Sequence, residues 1–188
     1  MSLNLYMGPM FSGKTTAALQ LIDTYIRRKE KFLCVTSSID IRYSNSGGKL
    51  ISHDQKSYAA VAVETLLPLL NSDELLSADY IIIEEAHFFP DLKAFVLHIV
   101  EDLGKHVTCV GLNGDYMRRP FGQLLELVPY CNTITKFRAF CMMCPKNKDL
   151  REGHFTHRIA RESTQTFVGG KNEYETLCRV HYLEKATL

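Results

Sequence analysis

From the N-terminus to about Leu112 the chain alternates short apolar runs with stretches of helical period. Leu3-Asn4-Leu5-Tyr6-Met7 is short enough for a buried first strand. Thr16 to Ile22 then repeats its apolar residues at helical spacing and predicts a helix running to about Lys29 or Glu30. Lys31 to Thr36 predicts a second buried strand, Leu66 to Leu76 a helix starting near Pro68, and Tyr80 to Ile83 a further strand. A helix over Asp91 to Leu103 and a strand over Val107 to Leu112 follow. Strands alternating with helices predict an α/β fold with a mostly parallel, doubly wound sheet. From Thr133 the character changes. Lys146 to Tyr174 is mixed in charge and contains Thr164 to Val168, a β-rich alternation ending in Gly169-Gly170, which reads as a long loop or hairpin. The pattern divides the chain into an α/β domain over 1–136 and a small subdomain over 137–188.

Composition narrows this picture in three ways. An apolar share of 46% in 188 residues supplies a core for one domain with a small appendage. A net charge of +1 argues against a basic footprint built for duplex nucleic acid. The apolar run near Tyr80 to Ile83 is far too short to span a bilayer, and no charged segment followed by an apolar one opens the chain. Membrane and secretory roles are therefore not expected. Six cysteines without a secretory signal suit a reducing compartment, where clusters bind metal more often than they pair.

Between the first strand and first helix stands Gly8-Pro9-Met10-Phe11-Ser12-Gly13-Lys14-Thr15, a full match to G-x-x-x-x-G-K-[ST] in its strand–loop–helix context. Backbone N–H groups of such a loop curl around phosphate oxygens, and the helix N-terminus adds its positive dipole end. Lys14 is expected on the β/γ-phosphates and the Thr15 hydroxyl on Mg²⁺. The other reading, a Gly-rich turn that happens to precede a lysine, fits four fixed positions poorly. The site is read as one for a nucleoside triphosphate with Mg²⁺.

Three further features surround that site. Ile81-Ile82-Ile83 ends in Glu84-Glu85, where the first acid can reach Mg²⁺ through water and its neighbour can act as base; the alternative is an ordinary acidic strand end. Asp40 to Gly48 is a polar loop leaving the second strand, at the edge where open α/β sheets bind ligands. Arg42 there can stabilise transferring charge and Asp40 can orient it or join the metal shell, although a solvated loop with a surface arginine reads as well. Phe88, Tyr116 and Phe121 fall at or just beyond strand ends, where aromatics can sandwich a flat base. Taken alone they fit plain core better.

Cys141-Met142-Met143-Cys144 and Cys178-Arg179-Val180-His181 are two knuckles carrying the four-ligand set that Zn²⁺ prefers, closed and so structural. The competing readings are a redox C-x-x-C, which wants a thioredoxin-like βαβ unit around it, and two unrelated pairs. A metal staple suits a subdomain too small to hold itself by burial.

In combination, the G-P-M-F-S-G-K-T loop, the D-x-R-Y stretch at Asp40 to Tyr43, the acidic pair followed by F-F-P, a G-x-F-G-like segment and the zinc knuckles resemble the type II thymidine kinases over nearly the whole chain. The resemblance implies a RecA-like domain with a zinc-held lasso over the nucleoside, and transfer of the γ-phosphoryl of MgATP to the 5′-hydroxyl of deoxythymidine, often also deoxyuridine. It implies Glu85 as general base, Glu84 as the metal-side acid and Arg42 as the charge-stabilising arginine. Met10, Phe88, Leu112, Tyr116 and Phe121 match the base pocket. Thr156, Phe167 and Tyr174 match the closing lasso, and Gln165 to Gly170 are expected to act through their backbones. Cys141, Cys144, Cys178 and His181 match the zinc ligands. A cytoplasmic homotetramer, with dTTP as a feedback inhibitor, completes the implied picture. Three positions depart from the family: His87 where Gln is commoner, Glu84 where Asp is usual, and Tyr116, whose added hydroxyl needs a polar partner if buried.

Two rivals come from other classes. Glu84-Glu85-Ala86-His87 is one residue away from the D-E-A-H box of helicases, but a helicase needs a second RecA-like domain for which no length remains. A zinc-ribbon binding module with an incidental ATP site would leave the acidic pair and Asp40-Arg42 unexplained.

Overall fold

A computed structural model of the chain describes residues 1–39, 49–51, 57–144 and 151–186. Its centre is a six-stranded sheet in which every pairing is parallel, ordered β5-β2-β6-β7-β1-β8. The strands are β1 (Ser2–Gly8), β2 (Phe32–Ser37), β5 (Val61–Val63), β6 (Tyr80–Ile83), β7 (His106–Leu112) and β8 (Thr133–Lys136). A separate antiparallel pair, β3 (Lys49–Ile51) with β4 (Ser57–Ala59), lies between β2 and β5 in the chain. The expected strands are all present, each within a residue of its predicted start, and β3, β4, β5 and β8 join them.

Period-two alternation sends the side chains of each central strand to opposite faces, and both faces are apolar because both are covered. Ile82, Cys34 and Val110 pack beneath α1 (Lys14–Arg28) with Ala18, Leu19 and Ile22. Ile81, Ile83, Leu33, Val35, Val107 and Cys109 point the other way, onto Phe89 and onto Phe95 and Val96 of α3 (Leu92–Leu97). That two-sided cover is the doubly wound, RecA-like arrangement expected. The helix expected over Leu66 to Leu76 is broken. A 3₁₀ segment covers Leu67–Asn71, and α2 (Asp73–Ser77) starts afresh because Ser72 caps it, its hydroxyl accepting from the Leu75 N–H at 3.2 Å. The helix expected to Leu103 keeps α geometry only through α3 and finishes in π turns over His98–Asp102.

Beyond β8, β9 (Ala139–Phe140) pairs with β10 (Glu152–Gly153), and β11 (Phe155–Arg158) pairs antiparallel with β12 (Tyr174–Leu177) before α4 (Arg179–Ala186). A second, small core of Cys141, Cys144, Leu177, Cys178 and Tyr182 with Phe155 holds this part together. The alternation at Thr164 to Val168 forms no strand. Its carbonyls are taken by side chains instead: the Arg158 guanidinium donates to Thr164 and Gln165, and the Tyr174 hydroxyl to Phe167. The strands of the hairpin flank this loop.

Candidate functional site

Because β6, β7 and β1 are adjacent and parallel, their C-terminal ends open on one edge, the position of ligand crevices in such sheets. Residues leaving those three ends meet the lasso over 159–173 around a cavity of about 620 Å³. Its lining includes Met10 to Thr15 with Glu84 and Glu85, then Phe88, Leu112, Tyr116 and Phe121, and Thr156, Phe167, Gly170 and Tyr174. Every predicted pocket residue among these lines the same space. Asp40 and Arg42 lie outside the described residues.

The phosphate-type loop is shaped locally and anchored from afar. Gly13 takes φ 82°, a left-handed turn that suits glycine, and starts α1. Ser12 Oγ donates to the Pro9 carbonyl at 2.8 Å and Lys14 Nζ to the same oxygen at 2.7 Å. The Met10 N–H donates to Thr156 Oγ1 at 3.0 Å, while the Met10 carbonyl accepts from Thr176 Oγ1 at 2.7 Å. The hairpin therefore grips the loop by its main chain. Thr15 Oγ1 donates to Glu84 Oε1 at 2.5 Å. These are two hard oxygen ligands from different elements, side by side at the end of β6, and that donor set fits Mg²⁺.

Glu85 occupies φ 51°, a strained left-handed conformation for a residue with a Cβ, and such strain gathers at functional positions. It turns the chain so that Glu84 stays buried beside Thr15 while Glu85 lines the cavity. His87 is buried and its Nδ1 accepts the Leu112 N–H at 3.2 Å, which leaves the ring proton on Nε2 when the imidazole is neutral. Its ring packs at 4.3 Å from Phe88 and 4.7 Å from Phe121, and those two phenyl rings meet edge to face at 5.6 Å. Gly122 lets this happen: a Cβ there would stand 2.0 Å from the His87 carbonyl oxygen, with φ +59°. The aromatics that read as core from sequence alone are thus cavity walls. The Tyr116 hydroxyl has its polar partner in the Ser163 carbonyl at 3.1 Å.

Sequence reasoning missed two residues that line the cavity and organise its surroundings. Asp115 accepts from the N–H groups of Met117 and Arg119, from Arg119 Nε and from Gln165 Nε2, all at 2.8 to 2.9 Å. Burial alone would push its carboxyl up; the N–H of Arg119, the Gln165 amide, the Arg119 guanidinium and the N–H of Met117 outweigh that and hold it below its usual value. Arg158 is buried and faces the cavity from β11. Neither belongs to a short motif. The only sequence hint is that Asp115 stands in the turn after a strand end, where ligand-edge residues collect.

Cys141, Cys144, Cys178 and His181 converge, their ligand atoms all within 4.8 Å of one another. The three sulfurs lie 3.3 to 3.6 Å from His181 Nδ1. Burial opposes ionisation of the Cys141 thiol, but N–H groups of Cys178, Met143 and Cys144 and the His181 ring lower it to about 6. Three soft thiols, one already inclined to the thiolate, and an imidazole form a set that fits Zn²⁺. No helix among the described residues is long and apolar enough to cross a membrane.

Against known proteins, residues 1–182 match the family model described as thymidine kinase. The chain is 34% identical over 182 residues to the thymidine kinase of Yaba monkey tumor virus (strain VR587), covering 97% of this chain and 94% of that one. It is 34% identical over 185 residues to thymidine kinase a of Arabidopsis thaliana, with 97% and 75% covered. To the cytosolic thymidine kinase of Homo sapiens it is 32% identical over 185 residues, with 98% and 74% covered.

Proposed function

The chain belongs to the thymidine kinase family, and on that footing we propose that it moves the γ-phosphoryl of MgATP to the 5′-hydroxyl of thymidine, and of deoxyuridine, giving the nucleoside monophosphate and ADP. The observation that carries this reading is the single cavity shared by the Lys14–Thr15 end of the loop, Glu84–Glu85 and the aromatic wall. Triphosphate chemistry and a flat base are thereby offered to one another within reach of one carboxylate.

In this reading the loop N–H groups and Lys14 hold the phosphates, and Thr15 with Glu84 would hold Mg²⁺, whose charge offsets that of the phosphates. Glu85 accepts the proton of the sugar hydroxyl as its oxygen attacks in line. Phe88, Phe121, Leu112 and Met10 enclose the base, and the lasso backbone from Gln165 to Gly170 reads its edge. Arg42, with Asp40, stabilises the charge on the transferring group. Zinc on the Cys₃His set would staple the base of the lasso. We further place the protein in the cytoplasm as a homotetramer inhibited by dTTP in the nucleoside site; a cytosolic relative supports the first of these.

The test is ADP release from MgATP with thymidine, deoxyuridine, deoxycytidine, deoxyguanosine, and single- and double-stranded DNA as separate additions. Turnover confined to thymidine and deoxyuridine supports the reading. Hydrolysis that ignores nucleosides and rises with DNA would replace it with the nucleic-acid motor.

A further inference from the structure

Arg158 carries a positive charge into a place where charge is costly to bury. It is 6% exposed. Its donors are spent completely: Nε on the Tyr174 hydroxyl at 3.1 Å, Nη1 on the carbonyls of Glu162 at 2.9 Å and Thr164 at 2.5 Å, and Nη2 on the Gln165 carbonyl at 3.0 Å and the Tyr174 hydroxyl at 2.8 Å. Five N–H donors in a rigid fork find five bonds. All these acceptors are neutral oxygens, and three are main-chain carbonyls of one loop. The guanidinium carbon also lies 3.9 Å from the centroid of the Tyr116 ring, which lines the same cavity.

Its bonds go to neutral groups, and the Glu162 carboxylate acts on the charge only from an exposed position, so the buried cation is a weak source of stability and an apolar residue would serve mere packing about as well. What the fork does supply is shape. It fixes three carbonyls of a stretch that has no ladder of its own, and it does so from strand β11, whose Thr156 two residues earlier grips Met10. The Tyr174 hydroxyl passes the constraint on, donating to the Phe167 carbonyl at 2.6 Å. From Glu162 to Phe167 the guanidinium and the phenol it holds take four of the loop's carbonyls, beside the bonds of Tyr116 to Ser163 and of Gln165 to Asp115.

We propose that Arg158 is a positioning residue for nucleoside recognition: it fixes the path of residues 162–167 against Tyr116, so that the main chain following them faces the base. The proposal rests on the thymidine kinase reading for its substrate, but the loop order it asserts can be measured without any substrate.

The experiment compares the full-length, zinc-loaded protein with Arg158→Met and Arg158→Lys. Met keeps the length and removes the donors; Lys keeps the charge but not the fork. Thymidine KM should rise about 10- to 100-fold in Arg158→Met, the loss expected when several charge-assisted bonds go. KM for ATP should stay within about twofold and the zinc content at the wild-type level, and Arg158→Lys should recover little of the thymidine KM. Backbone hydrogen exchange of the unliganded proteins should quicken over 162–168 and stay unchanged in β1, β6 and β7. Exchange over 162–168 that matches wild type in both variants would overturn the proposal. So would an equal rise in both KM values, or full rescue by lysine. Wild-type protein inert toward thymidine would instead defeat the reading of function, and the exchange result would still judge Arg158.

Discussion

The sheet and the lasso are built of different materials. Around β6 and β7 order comes from burial: Ile81, Ile82 and Ile83 are each at most 1% exposed, and both sheet faces are covered by apolar side chains. Around 139–181 the described residues hold a small core, and order comes from the Cys141, Cys144, Cys178 and His181 cluster and a buried arginine that grips carbonyls. The sheet edge brings Lys14, Thr15, Glu84 and Glu85 to the cavity. The lasso brings Phe167, and the hairpin flanking it brings Thr156 and Tyr174; in the proposed function the first group does the chemistry and the second the recognition. A rigid, dry scaffold suits groups that must be aligned to fractions of an ångström, while a strapped loop can be shaped to a ligand and released.

Kinetic and structural perturbations should divide along that line. The largest effect is expected from Glu85→Gln, which should lower kcat about 10²- to 10⁴-fold while ATP still binds, measured by turnover and nucleotide titration. Near-wild-type turnover would remove Glu85 from the base role. Ile82→Ala opens a cavity between β6 and α1 and should cost about 2–5 kcal/mol in denaturant unfolding, with zinc content preserved. Cys178→Ser should do the reverse: elemental analysis should show zinc lost, proteolysis should quicken within 137–188, and thymidine KM should rise about tenfold or more with the sheet still folded. Retention of all the zinc would refute the ligand set. Tyr116→Phe removes one hydrogen bond to the lasso, a net change of about 0.5–1.5 kcal/mol, so thymidine KM should rise between about twofold and tenfold. Smallest is the pH effect of Asp115. Its folded carboxyl titrates below its usual value, so the stability it contributes is present above pH 3.8 and is lost as pH falls through the folded value. Asp115→Asn should flatten that acid limb, read from exchange over 115–119 between pH 5 and pH 3.

The sheet was legible in the sequence because its signals are local. Four fixed positions at Gly8 to Thr15, and an apolar run stopping at Glu84, each need only neighbours to be understood. The zinc quartet was legible as two short spacings. The contacts that shape the cavity were not, since they join residues far apart through groups every residue owns. Nothing near Arg158 says that three carbonyls wait for it, and nothing near Thr156 or Thr176 points to Met10. The stretch Thr164 to Val168 reads as a loop or hairpin, and it is the loop of one. Its side chains fit a strand, but a strand also needs a partner edge, and here an arginine and a tyrosine take the carbonyls instead. Phe88 and Phe121 looked like core because cavity walls and core share one vocabulary of side chains; only the resemblance to a family assigned them to a pocket.

The grip on Met10 also bears on how the protein is made. The bonds from Thr156 and Thr176 to Met10 span 146 and 166 residues. During synthesis the phosphate loop leaves the ribosome long before the two threonines that fasten it. A nascent chain can assemble α1 and the central strands early, but its nucleotide loop stays without these anchors until Thr156 and Thr176 have followed. The nucleotide site thus reaches its final form only after the hairpin of the lasso has been made.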